Sequence, residues 1–368
     1  MIVEREAHGS EKRMTSSSSN RFLRNTWYMA MWSQDLEPGK LLGRKILNES
    51  IVFFRKADGT VSALADVCPH RFAPLRLGAL LPNDRVQCGY HGLEFDPAGN
   101  CVFNPHGNGT IPPAARVRAY PVVEKHTIVW IWMGTAAPDA STIPDYSVFD
   151  GAPPEHVSRR DHIVMKANYD LVTYNLLDLS HVSYLHSGIL GNQETIKAAI
   201  DVKQDGNTVY VSRCQENVAI PPLMKLTFKP EAERGDLWRI MRWDPPGCMF
   251  LDFGVKDVGA SREVGSGYYG VHILTPETGT TTHYHFSSVR HNVLYDERQQ
   301  NEEIRREISR LRRFAFEEQD APMIEAQQQL IGELEENGED LRPALLAVDA
   351  GPARYRRVMD RLLQEEAE

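Results

Sequence analysis

Two cysteine–histidine pairs stand close together in the first quarter of the chain, Cys68-Pro69-His70 and Cys88-Gly89-Tyr90-His91. Seventeen residues separate His70 from Cys88. The order along the chain is Cys, His, Cys, His. Zinc also accepts two thiolates and two imidazoles, but zinc fingers usually pair Cys with Cys and His with His. In the present order each pair can hand its thiolate to one metal and its imidazole to another. That division suits a two-iron, two-sulfide cluster in which one iron takes two Cys and the other two His. A zinc site is the competing reading, and colour separates the two: zinc protein is colourless, whereas the oxidised cluster is red-brown.

The surrounding sequence from 22 to about 134 reads as short strands broken by turns. Ile51-Val52-Phe53-Phe54-Arg55 is followed by the turn Ala57-Asp58-Gly59 and by Val61-Ser62-Ala63-Leu64, and Thr127-Ile128-Val129-Trp130-Ile131-Trp132 comes later. Strands this short and closely spaced predict a small all-β barrel or sandwich, with the Cys–His pairs on its loops. A Pro/Ala/Asp-rich stretch between 134 and 154 marks a domain boundary. The expected organisation is a disordered tail at 1–20, a first domain at 21–136 and a second at 145–366. In the second, a strand around 162–165 precedes a helix over about 170–185, ended by Gly188 and Gly191. A long strand region then runs from 200 to about 290. A long amphipathic helix over about 296–334 and a C-terminal helix over about 352–364 complete it. A sheet packed by helices makes the fold class α+β, an all-β domain followed by a helix-packed antiparallel-sheet domain.

That predicted helix carries the second cluster of metal-binding types, Asn175-Leu176-Leu177-Asp178-Leu179-Ser180-His181, closed by His186. At the helical repeat Asn175, Asp178 and His181 share one face, and His186 lies about 140° round from His181. Both imidazoles reach one metal only if the helix ends or distorts near His186. Two His and a carboxylate would make a facial triad. The chain has 50 Asp and Glu to choose from. Asp320 stands just before the apolar pair Met323-Ile324, while Glu317, Glu318 and Glu325 compete with it. Residue types alone leave that choice open, and a solvated helix face is the plain alternative for all four.

Composition narrows the partners. The chain has 368 residues, enough for two ordinary domains. Its net charge of -9 comes without a basic stripe, which disfavours nucleic acid and anionic membrane. No apolar run approaches the roughly 20 residues that span a bilayer. The five Cys are an odd count without a disulfide framework, as expected in the reducing cytoplasm. The first twenty residues are polar, with no apolar core of a secretory signal, and Met14 is an alternative start.

Taken together, the two motifs resemble the oxygenase component of Rieske non-heme iron oxygenases. The resemblance runs from Trp27 to about Leu363. Within that family the vanillate O-demethylase and dicamba monooxygenase group is the nearest. Its softer matches are the run Val271-His272-Ile273-Leu274-Thr275-Pro276-Glu277-Thr278, the run from Asp320 to Gln328, and Asp349 with Arg354-Tyr355-Arg356-Arg357. The resemblance implies that Cys68, His70, Cys88 and His91 hold a Rieske cluster, and that His181, His186 and Asp320 hold a mononuclear Fe(II). It gives Asp178 a place between the centres, bonded to His181 of its own chain and to the residue matching His91 in a neighbouring subunit. That arrangement implies a homotrimer. His272 and Asn175 are the polar candidates for substrate contact. No NAD or flavin motif occurs in this chain, so electrons must come from a separate reductase, of flavin and ferredoxin type. The implied reaction is O₂-dependent monooxygenation of a small aromatic, with O-demethylation and formaldehyde release foremost. N-demethylation, methyl hydroxylation and ring dihydroxylation are alternatives, and a pure electron carrier is a further one.

Overall fold

Strand β1 (Trp27–Trp32) is buried along its whole length, as is β11 (Ile128–Trp132), with which it pairs antiparallel. Apolar residues on both faces of a strand require cover on both sides. β10 (Val122–Lys125) completes this small sheet. A second sheet orders β2 (Leu42–Ile46), β3 (Glu49–Arg55), β4 (Val61–Ala65) and β9 (Ala119–Tyr120) side by side. A third is built from β5 (Ala79–Leu80), β6 (Val86–Gln87), β7 (Glu94–Phe95) and β8 (Cys101–Phe103). This computed structural model describes residues 21–368 apart from 192, 296 and 340, so the predicted tail at 1–20 lies outside the described residues.

The connecting stretch after β11 is packed rather than loose. Ile143, Tyr146 and Phe149 are buried with Trp27, Trp32 and Trp130 in one cluster. The second unit is a seven-stranded antiparallel sheet in the order β12-β18-β17-β16-β15-β14-β13. Its strands are β12 (Asp161–Met165), β13 (Asp201–Asp205), β14 (Thr208–Ala219), β15 (Arg234–Asp244), β16 (Cys248–Lys256), β17 (Ser266–Pro276) and β18 (Thr282–His291). Side chains alternate across it. Val271 and Ile273 of β17 join the tryptophan cluster of the first unit. His272 points the other way, into the cavity described below. The two units also share a core in which Tyr28, Met31 and Phe53 pack with Trp243, Leu274 and Tyr284. Backbone bonds cross between them at Leu47 N–H to Pro276 C=O and Asn48 N–H to Glu277 C=O, both 2.9 Å.

Helix α1 (Tyr169–Leu177) begins at Asn168, whose side chain accepts from the Asp170 N–H. It is shorter than the 170–185 span expected from sequence. The reason is Asp178, whose carboxylate accepts from the Ser180 N–H at 2.7 Å and from its hydroxyl, an Asx turn that competes with the helix. A four-residue helix α2 (Pro222–Lys225) interrupts the strand region.

The predicted long helix is three pieces in line: α3 (Arg298–Phe314), a π-helical turn (Ala315–Asp320) and α4 (Ala321–Glu336). Pro322 cannot bond back to Glu318 and its ring would crowd that carbonyl, so a widened turn here relieves the conflict. The C-terminal helix α5 (Ala350–Ala367) is longer than expected and packs on α1 and β14.

Candidate metal centres

The two cysteine loops have matching backbones. The Cys68 N–H donates to Ala73 C=O and the Cys88 N–H to Leu93 C=O, at 2.9 and 2.8 Å. In return the Phe72 and Gly92 N–H groups donate to Cys68 C=O and Cys88 C=O, both at 2.9 Å. Phe72 and Gly92 each adopt a positive φ, 59° and 71°. Each loop therefore turns back on itself four residues after its cysteine. The thiols are buried, and the two imidazoles meet edge-on with ring centroids 4.5 Å apart. Burial pushes the Cys68 thiol up to about 11, with backbone N–H groups of His70 and Arg71 pulling the other way. Such a thiol ionises readily only when a metal supplies the positive charge. Two inner thiols and two outer imidazoles on paired loops fit a cluster with chemically distinct irons. Around this tip Phe72, Leu77 and Tyr90 are exposed.

The second centre draws on three elements. His181 opens a short 3₁₀ turn after α1, His186 follows on the loop before Gly188, and Asp320 ends the π-helical turn. One nitrogen or oxygen from each lies within 4.8 Å of the others. His181 Nε2 is 3.7 Å from Asp320 Oδ1, and His186 Nε2 is 3.2 Å from Asp320 Oδ2. Each imidazole is held from behind. His181 Nδ1 bonds the Asp178 backbone carbonyl at 2.5 Å, and His186 Nδ1 bonds Gln319 Oε1 at 2.8 Å. Both partners are acceptors, so each Nδ1 carries the proton and each Nε2 lone pair faces inward. That is the tautomer a metal requires. Burial lowers the His181 pKa, with Asp320 opposing. In His186 burial acts the same way, but the bonds to Asp320 and Gln319 outweigh it and hold the pKa above the usual value.

Asp320 is 1% exposed, and Asn175 Nδ2 donates to its Oδ1 at 3.1 Å. The competing acids are occupied elsewhere. Glu317 pairs with Arg313, Glu325 accepts from the Lys166 N–H, and Glu318 is exposed. Asp178 lies beside the triad but not as a member. Its carboxylate binds Ser180 through one oxygen, and the other stands 3.8 Å from His181 Nδ1. Beyond the triad a cavity of about 70 Å³ is walled mainly by apolar side chains. Asn175 and His272 both line it, together with Arg239 and Arg312, which no motif singles out. Gln319 was likewise invisible in the sequence, because nothing there shows that the wide turn aims it at His186.

Comparison with known proteins places the chain in a family. Residues 26–121 match the Rieske [2Fe-2S] domain model, and residues 165–365 match the vanillate O-demethylase oxygenase C-terminal domain model. The oxygenase component of dicamba O-demethylase from Stenotrophomonas maltophilia is 37% identical, covering 94% of this chain and 99% of that one. The oxygenase component of chloroacetanilide N-alkylformylase from Rhizorhabdus wittichii is 33% identical, covering 94% and 97%. A crystal structure of dicamba monooxygenase with non-heme iron and dicamba superposes with a TM-score of 0.77 at 34% identity, covering 94% and 99%. No helix among the described residues is long and apolar enough to cross a membrane. With its two domain models in the expected order and relatives matched nearly end to end, the chain belongs to the Rieske non-heme iron oxygenases of the vanillate O-demethylase group, oxidoreductases that carry a Rieske cluster and a mononuclear iron.

Proposed function

We propose that this chain is a terminal oxygenase that inserts one oxygen atom of O₂ into a small aromatic substrate, with O-demethylation as the main reaction. The observation that carries the reading is the pair of imidazoles whose Nδ1–H groups are tied outward, turning both Nε2 lone pairs toward Asp320. In this reading residues 21–136 form the cluster domain, with Cys68, Cys88, His70 and His91 as ligands. Residues 145–366 form the catalytic domain, with His181, His186 and Asp320 as ligands. When bound, the two centres supply one-electron transfer and the reduction of O₂.

The chain's own residues bind, orient and exclude. Gln319 and the Asp178 carbonyl fix the imidazoles, Asn175 steadies Asp320, and the apolar cavity wall keeps bulk water from the reacting groups. For an aryl methyl ether, two electrons, two protons and O₂ give water and a hydroxymethyl ether. That hemiacetal breaks its C–O bond to release a phenol and formaldehyde. The N-alkylformylase relative keeps N-dealkylation open as a second reading, since a hydroxylated N-alkyl carbon collapses in the same way.

Electrons come from a separate reductase. The exposed Phe72, Leu77 and Tyr90 around the cluster tip support a docking face there. Asp178, beside His181 and 24% exposed at its side chain, suits a bridge to the cluster of a neighbouring subunit in a homotrimer. A cytoplasmic location fits the free cysteines among the described residues. The test is a screen of methoxylated and N-methylated aromatics with a surrogate reductase, reading formaldehyde and O₂ uptake together. Formaldehyde equal to substrate consumed is expected. A colourless, zinc-containing protein that takes up no O₂ would overturn the reading.

A further inference from the structure

Arg213 of β14 and Arg239 of β15 stand directly opposite each other on neighbouring strands. Both are buried, at 2% and 3% exposure. Like charges in that position repel, and burial makes each of them costlier. Burial and the facing Arg213 both oppose the charge on Arg239. Burial also opposes the charge on Arg213, and Asp178 partly offsets it. Such a pair persists at a cost in stability, which points to a positional role. Its hydrogen bonds show what it positions.

Arg213 donates from Nη1 to Leu179 C=O and from Nη2 to Ile196 C=O, both at 2.8 Å. Arg239 donates from Nη2 to Leu190 C=O at 2.7 Å and from Nη1 to Gln215 Oε1 at 3.1 Å. Arg213 thus holds the chain two residues before His181, and Arg239 holds it four residues after His186. The Leu190 N–H in turn donates to His186 C=O at 3.1 Å. An independent feature shows why this stretch needs holding. From 179 to 197 the described chain contains only the 3₁₀ turns His181–Ser183 and Gln193–Lys197 and an isolated bridge between Ser187 and Gly191. Its two histidine segments meet at Gly191, where a Cβ would collide with the Val182 carbonyl. Irregular backbone of this kind takes its precision from rigid neighbours, and here the neighbour is the sheet.

We propose that Arg213 and Arg239 are positioning residues, a clamp of two facing guanidiniums that ties the backbone carrying His181 and His186 to the sheet, so that both imidazoles meet Asp320 at a set distance. The clamp's role toward iron rests on the oxygenase reading. Arg239 also lines the cavity, whereas Arg213 lies outside its lining, so Arg213 tests the clamp without altering the substrate wall. Its planar fork spans two carbonyls 17 residues apart in sequence, and a lysine ammonium would reach only one.

The test has two readings on the full chain. The first is hydrogen exchange in protein that holds the cluster and has been freed of mononuclear iron by a chelator. The Leu185 N–H donates to His181 C=O, and the Leu190 and Gly191 N–H groups donate to His186 C=O, so these amides should be protected in wild type. In Arg213→Met and in Arg213→Lys exchange at Leu185 should quicken about tenfold or more, while the sheet amides stay as they are. Arg239→Met should act on Leu190 and Gly191. The second reading is the rate at which iron-loaded protein yields its mononuclear iron to a ferrous chelator. This should also rise about tenfold in each variant, with the cluster signal and potential unchanged. Wild-type exchange and iron loss in Arg213→Met would overturn the clamp. Wild-type behaviour in Arg213→Lys would overturn it too, because charge alone would then suffice. Protection lost across the whole sheet would make Arg213 a general stability residue and also overturn it. Should Arg213→Met fail to fold, Arg213→Lys, which keeps the buried charge, decides by the same two readings. Wild-type protein that shows the exchange pattern but never holds iron beyond the cluster would sustain the clamp and count against the oxygenase reading.

Discussion

The two candidate metal centres are built in opposite ways. The cysteine loops lie within about two dozen residues of each other, repeat one backbone pattern, and present their imidazoles at the surface. The triad gathers residues from two stretches of chain more than a hundred residues apart in sequence, and it buries Asp320 and His186. A local loop pair can fix its ligands by backbone bonds alone. A distributed site needs the whole domain to hold its geometry, so it relies on second partners such as Gln319 and Asn175. The first arrangement suits a cluster that must meet electron donors; the second suits chemistry that must exclude water.

Substitutions should separate the two regions. The largest shift is expected at the tip. His70→Cys should lower the cluster potential by roughly 200 mV or more, toward the all-cysteine range, and leave the mononuclear iron in place. An unchanged potential in redox titration would mean that His70 is not a ligand. Asp178→Asn should keep both centres but slow electron transfer between them by about 10- to 100-fold, because an amide is a weaker, uncharged acceptor for an imidazole N–H. Wild-type rates of cluster re-oxidation in a single turnover would make Asp178 a turn-forming residue only. Gln319→Ala frees His186 Nδ1 and should weaken mononuclear iron binding by about tenfold with no change in the cluster spectrum. Competition with a chelator reads this directly. The smallest effect tests the matched loops. Gly92 has a φ of +71° and little room beside Pro105, so Gly92→Ala should cost about 1–2 kcal/mol in thermal unfolding. Phe72→Gly, at the equivalent left-handed position, should change stability by less than about 1 kcal/mol.

What the sequence disclosed follows the same division. The Cys–His loops were legible because their candidate ligands are neighbours and their order is chemically specific. His181 and His186 were legible as a pair, but the helix assumed to carry both stops at Leu177. Helical periodicity does not register the Asx turn in which Ser180 captures Asp178. Asp320 could be named only beside its competitors, because a widened turn shifts which side chains face inward and leaves no periodic trace. Arg312 was hidden for a related reason. It stands in a run of charged residues on α3 that reads as a solvated face, and only the packing of the sheet shows it buried. His272 could be selected from its strand, but its partner Tyr284 depends on strand register.

The claim on which the account depends is that His181, His186 and Asp320 hold an iron distinct from the cluster. Metal analysis and electron paramagnetic resonance of Asp320→Ala, beside wild type, test it most directly. Wild type should carry the cluster's two irons plus one more per chain. The variant should lose that extra iron and all formaldehyde release, while the reduced-cluster signal stays unchanged. Full iron content with wild-type formaldehyde release in Asp320→Ala would contradict the assignment.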